Sequence, residues 1–187
     1  LELLEWLYHE STGAELLPLG FRTTKAAHKK LVTLSEQGTI HKLGSVRLGN
    51  GKPFDVFCTR KSKRDNLLHN VLTSKFVQPW VLAGAECVRG DHVDKKFASD
   101  AEMIWNGEKF FIELDRATEH KRQVHTRMKR YINCDGWILF VTTDARRIKS
   151  LKPELKIVAN KVLFTTVKES RGTETVFEDI YGDTTKI

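Results

Sequence analysis

Hydrophobic and polar positions follow two periods along the chain, and the stretch from Ser99 to Tyr131 shows both. Residues 100–105 and 108–115 are strand-like runs on either side of Asn106-Gly107, a pair suited to a type I′ turn because both central residues need positive φ. From 118 to 131 the period lengthens to that of a helix. Its apolar stripe is Val124, Met128, Tyr131 and then Ile132, with Lys121, His125 and Lys129 on one flank and Arg127 on the other. Upstream, residues 1–9 form a helical face and 14–17 a second short helix. Residues 25–37 form a third, capped from Thr23-Thr24, with Ala27, Leu31 and Leu34 inward and Gly38 past its end. Strands over 39–43 and 54–59 enclose a glycine-rich tip. Residues 65–76 read as a helix capped by Asp65, 80–83 as a strand and 88–97 as a loop. The unbroken apolar run at 137–142 predicts a strand buried on both faces. A short basic helix over 144–151, strands over 161–167 and 175–180, and a loose tail after Gly182 complete the chain.

The Asn-Gly turn sets the pairing of its two arms. Trp105 faces Glu108, so Ile104 faces Lys109, Met103 faces Phe110, Glu102 faces Phe111, Ala101 faces Ile112 and Asp100 faces Glu113. Alternation adds Glu102 and Asp115 to the same side, gathering four acids on one face. Like charges opposed in a ladder weaken it, so a cation is expected there. One reading is Mg²⁺ or Mn²⁺ held by the hard oxygen ligands of Asp100 and Glu113. The other is a solvated hairpin end neutralised by Lys109, Arg116 and Lys121.

Charge is unevenly distributed. Residues 1–64 carry 11 Lys and Arg against 6 Asp and Glu, whereas the remaining 123 carry 20 against 18, so most of the net charge of +7 lies in the amino-terminal third. A basic module joined to an acid-clustered one suits a polyanionic partner. Nucleic acid fits better than a membrane, because no lysine-rich amphipathic anchor is visible and no apolar run approaches the roughly 20 residues of a spanning helix. Cys58, Cys87 and Cys134 are odd in number and widely spaced. That pattern predicts reduced thiols in a cytoplasm, without a disulfide framework or structural zinc. A chain starting at Leu1, without Met and without a signal-peptide pattern, is expected to be a piece of a longer protein.

Three helices followed by a hairpin with a basic, glycine-rich tip is the order of a winged helix-turn-helix. The third helix would enter the major groove through Thr24, Lys25, His28 and Lys29, while Arg47 and Lys52 on the wing reach phosphate or minor groove. The same module can also serve protein contacts. The basic hinge Arg60-Lys61-Ser62-Lys63-Arg64 separates it from the remainder of the chain, giving domains over 1–62 and 63–187.

An Asp opening one hairpin arm and Glu-x-Asp late in the other, ahead of a helix and a buried strand, resembles the PD-(D/E)xK superfamily. The resemblance implies a restriction-endonuclease-like α/β (α+β) domain with a mixed central sheet flanked by helices. In that superfamily an Asp and a Glu hold Mg²⁺, and a Lys two residues after the Glu positions the attacking water. Here Ser99-Asp100 stands in place of Pro-Asp, and Asp115 takes the lysine's place. A narrower resemblance rests on Phe111-x-Glu113-x-Asp115-Arg116-x-Thr118-Glu119, with Leu68-His69 and Asp100-Ala101 before it and Arg127-Met128, Tyr131 and Phe140-Val141-Thr142 after it. This pattern is similar to the bacterial plasmid replication-relaxation family.

That resemblance implies a cytoplasmic DNA-binding protein of a plasmid or other mobile element, acting in DNA relaxation or replication. DNA and replication or relaxase proteins would be its partners, and a homodimer would suit a palindromic site. It is compatible with two activities. In a metal-dependent nuclease, Asp100 and Glu113 hold Mg²⁺ or Mn²⁺ and Asp115 is a further ligand or base. Lys129 or Lys121 then takes over the lysine's role, and His69 orients water or phosphate. In a non-catalytic DNA-binding regulator or accessory protein, the nuclease fold is a scaffold that has lost its lysine.

Overall fold

A computed structural model of the chain describes residues 21–47, 50–59, 66–89 and 94–187. The helices expected over 1–9 and 14–17, the basic hinge and the Asp65 cap lie outside the described residues. The chain divides into two compact units, Leu1–Lys75 and Phe76–Ile187.

In the first unit, helix α1 (Thr24–Glu36) starts where Thr23 accepts the Ala26 N–H at 3.1 Å and ends at Gln37, followed by Gly38 with φ of +72°. Strands β1 (His41–Val46) and β2 (Phe54–Cys58) pair antiparallel. The register slips between Lys42 and Gly44, so Leu43 is the extra residue of a bulge. Leu43, Val46, Val56, Cys58, Leu67 and Val71 form one buried cluster, and α1 buries Ala27 and Leu31. Burial of this size in so small a unit supplies much of its stability, at roughly 1.5–3 kcal/mol per large apolar side chain.

Helix α2 (Leu67–Leu82) runs through the position where a strand over 80–83 is expected from the sequence, and the strand β3 (Glu86–Arg89) comes after it instead, its last two residues taking the start of the loop expected over 88–97. Pro79 sits inside the helix without ending it. The stop comes later, at Gly84 with φ of +102°, where the Gly84 and Ala85 N–H groups donate back to Val81 and Trp80. Trp80 is fully buried against Trp105 and Phe177, so packing, not local propensity, holds this end helical.

Among the described residues, the second unit is built on a mixed sheet of seven strands that neighbour one another in chain order, starting from β3. Strands β4 (Ala101–Trp105) and β5 (Glu108–Asp115) are joined by Asn106-Gly107, both at positive φ, in the register given by counting from the turn, Trp105 opposite Glu108 through Ala101 opposite Ile112. Beyond the last pair, the Asp100 N–H still donates to the Ile112 carbonyl at 3.0 Å. Helix α3 (Lys121–Met128) and a 3₁₀ turn (Lys129–Tyr131) come next, shorter than the expected span because Ala117 turns the chain at φ of +60°.

Strand β6 (Trp137–Thr142) runs parallel to both β5 and β7 (Val162–Thr166), and helix α4 (Ala145–Leu151) lies between β6 and β7 in sequence. Strand β8 (Phe177–Glu178) pairs with β9 (Thr184–Thr185), so the tail expected to be loose adds an edge strand. The core gathers Phe97, Phe111, Met128, Tyr131, Phe140 and Phe164 among others. No helix among the described residues is long and apolar enough to cross a membrane.

Candidate functional site

The acid face of β5 is not solvated. Glu113 is 1% exposed and Asp115 2%, which removes the reading of a solvated hairpin end. A buried carboxylate needs a partner, because desolvation of a lone charge costs several kcal/mol. The partners are two arginines from later in the chain. Arg127 of α3 places Nε 2.9 Å from Glu113 Oε2, and its Nη1 donates to both carboxylate oxygens of Glu119 at 2.9 Å. Arg147 of α4 donates from Nε to Asp115 Oδ2 at 2.6 Å and from Nη2 to the Glu119 carbonyl at 2.6 Å. The second oxygens are occupied as well. The Tyr131 hydroxyl donates to Glu113 Oε1, and the Ala117 N–H donates to Asp115 Oδ1 at 3.1 Å.

Asp100 does structural work at the same place. Its Oδ2 accepts the Leu114 N–H at 2.7 Å, extending the ladder one residue past the end of β4. Glu102, the fourth acid of the face, is held elsewhere, by Lys109 Nζ at 3.1 Å and by the Asp94 N–H at 2.5 Å. Lys109 thus neutralises an acid, as the sequence suggests, but for Glu113 and Asp115 the neutralising cations are Arg127 and Arg147 instead of Arg116 and Lys121.

Burial raises the Glu113 carboxyl to about 7; Arg127 pulls it down, the neighbouring Asp100 pushes it up and the Tyr131 hydrogen bond lowers it. Burial and the Glu113 carboxylate push the Tyr131 hydroxyl well above its ordinary range, so it remains a proton donor. The ring is stacked on Phe97 with centroids 5.4 Å apart, which helps hold its hydroxyl oxygen beside Glu113.

Of the residues expected to form a catalytic centre, the structure therefore gathers Asp100, Glu113 and Asp115 around Arg127 and Arg147. Lys129 stands exposed at the carboxyl end of α3, on its 3₁₀ extension. His69 lies half-buried on α2 in the first unit, its carbonyl accepting from Thr73 at 3.0 Å. The residues do not fit a resident divalent ion. Both oxygens of Glu113 and both of Asp115 already accept from or pair with donors, and a metal would have to displace a buried guanidinium. No group of three or more His, Cys, Asp or Glu side chains placed to hold a metal ion is present among the described residues.

In the first unit, Lys25 and Lys29 are exposed on the first turns of α1, and Arg47 and Lys52 are exposed between β1 and β2. Thr24 is the first helical residue, half-buried, the cap being Thr23. His28 turns toward β2, with Nε2 3.3 Å from Asp55 Oδ2 and its ring edge-on to Phe57. Asp55 also accepts from Lys42 Nζ and Ser45 Oγ, both at 2.7 Å. His28 therefore ties the helix to the hairpin.

The sequence signal for Arg147 lay in the buried strand. Once β6 pairs parallel to β5 with Thr142 opposite Asp115, residues just after Thr142 must emerge beside the acids. Arg127 had a weaker signal, its place on the flank of the α3 stripe. No family model matches the chain, and no curated protein matches it.

Proposed function

We propose that the protein is a DNA-binding regulator or accessory protein whose second domain keeps a restriction-endonuclease-like frame as a non-catalytic scaffold. The observation that carries this reading is the pairing of Glu113 with Arg127 and of Asp115 with Arg147. Phosphodiester hydrolysis with a divalent ion needs carboxylate oxygens open to that ion and a base or lysine beside the attacking water. Here the oxygens are engaged by fixed donors, and Asp115 stands in the lysine's place.

DNA recognition falls to the first unit, read as a winged helix. Lys25 and Lys29 on the amino-terminal turns of α1 would meet the groove and its phosphates, and Arg47 and Lys52 on the wing would reach the neighbouring backbone. The likeness to the plasmid replication-relaxation family supports a cytoplasmic role in replication or relaxation of mobile-element DNA, carried by the Glu113 to Glu119 phrase. In the structure the acids of that phrase belong to the arginine network.

Supercoiled plasmid incubated with the protein and Mn²⁺ provides the test. Retarded but uncut plasmid, with retardation reduced by Lys29→Ala, is the expected result. Open-circular product that disappears with Glu113→Ala would replace this reading by the metal-dependent nuclease.

A further inference from the structure

Residues 121–130 carry five Lys and Arg and no Asp or Glu, the densest basic run within the second unit. Arg122, Gln123, Thr126, Arg127 and Arg130 line an open hollow along one face of α3 and its 3₁₀ extension. Arg122, Thr126 and Arg130 are spaced four apart, about 6 Å of helix rise per step, so they form one row. Among the described residues, no carboxylate lines the hollow.

Its arginines are held in different ways. Arg127 is already paired with Glu113 and Glu119, so its charge is spent within the unit. Arg130 is oriented from below, donating from Nε to the Arg127 carbonyl at 3.1 Å and from Nη1 to the Phe97 carbonyl at 2.9 Å. Both bonds go to backbone, and Arg130 forms no ion pair among the described residues, although its charge acts on Glu113 from a distance. Arg122 is exposed and forms no ion pair among the described residues.

We infer that this face of α3 is a second nucleic-acid contact, binding phosphodiester groups of the backbone through Arg122 and Arg130, with Thr126 between them as a hydroxyl donor. Planar guanidinium groups in a row suit phosphate oxygens, which they can grip with paired N–H bonds. The contact is independent of base sequence. The inference relies on the proposed function only in taking DNA as the polyanion, and its surface lies in the other unit.

The test is fluorescence anisotropy of the full chain on a labelled duplex of about 30 base pairs, over roughly 50 to 300 mM salt. Arg122→Gln is expected to weaken binding about three- to tenfold at the lower salt and to flatten the slope of log affinity against log salt by about 1. Thr126→Glu, which replaces the hydroxyl donor by a carboxylate in the hollow, should weaken it further, and Arg122→Lys should recover most of the loss. Both positions are exposed, so unchanged melting of the variants separates binding from folding. Parent-like affinity and slope in both hollow variants, with Lys29→Gln weakened, would overturn this contact and leave the first-unit reading standing. Weakened hollow variants beside a parent-like Lys29→Gln would support the contact and overturn the assignment of α1. A parent that binds no duplex at low salt sinks both.

Discussion

Arg127 meets Glu113 at 2.9 Å inside the second unit, on a carboxylate that is 1% exposed, and the same guanidinium grips Glu119 near the surface. One arginine thus connects the buried strand β5 to the turn that leads out of it. The ion pair is more a condition of folding than a gain in stability, since replacing both partners costs far less than stranding either one.

Glu113 gives this pair a pH signature. Its folded carboxyl titrates near 7 against an ordinary 4.5, raised chiefly by burial. Between those values the folded chain keeps a proton that the unfolded chain has released, so stability declines as pH rises through the window and levels off above it. Glu113→Gln has no such proton. From pH 4.5 to about 8, urea unfolding of the parent is expected to lose on the order of 2 kcal/mol more than the variant. Parallel curves would mean that the acid is ionised throughout.

Metal response separates a taken site from an open one. Saturating Mg²⁺ or Mn²⁺ is expected to leave the melting temperature of the parent unchanged, because the oxygens of Glu113 and Asp115 are already engaged. Arg127→Ala should lower the melting temperature, most at high pH, where Glu113 cannot escape the loss of its cation by taking up a proton. Part of that loss should return with Mn²⁺, which can neutralise the freed carboxylate. A rise in the parent that vanishes with Asp100→Ala would show that the arginines yield to metal.

The first unit has its own electrostatic tie. Lys42 donates to Asp55 and holds its carboxyl at about 2 rather than the ordinary 3.8, helped by Ser45 and His28 and opposed by burial. Because the folded value is depressed, the stabilisation is complete above about pH 4 and is lost as pH falls toward 2. With Lys42 half exposed, screening leaves about 1 kcal/mol at neutral pH. Asp55→Asn should therefore speed hydrogen exchange of the β1–β2 amides about fivefold at pH 7 and progressively less below pH 4. An equal effect at both pH values would remove the titration from the account.

Local chemistry explains what could be read directly from the chain. Asn106-Gly107 determines its own turn, and the turn determines five successive pairs between β4 and β5. Thr23 and Gly38 mark α1 to within a residue. The misread stretch around residue 80 lacked such a mark, since Trp80-Val81-Leu82 suits a strand as well as a helix until Trp105 and Phe177 are known to surround the indole. The acid cluster was legible as a group, but its meaning was not. Asp115 and Arg147 are 32 residues apart, and only the parallel pairing of β5 with β6 brings them together.

That parallel pairing passes through a tight point at Gly136, just before β6. A Cβ on Gly136 would lie 2.4 Å from the Lys109 carbonyl oxygen, a backbone atom of β5 that cannot shift without disturbing the neighbouring strands. Gly136→Ala is expected to destabilise the second unit by roughly 2–3 kcal/mol through crowding alone. Gly107→Ala makes the comparison, because its Cβ meets nothing within 4 Å and only the positive φ of +80° is strained, at about 1–2 kcal/mol. Double substitution should then show nearly additive losses in denaturant unfolding, the two strains having different origins. A Gly136→Ala loss no larger than that of Gly107→Ala would mean that β5 and β6 can separate slightly at this point, and that the alignment of Asp115 with the residues after Thr142 does not depend on it.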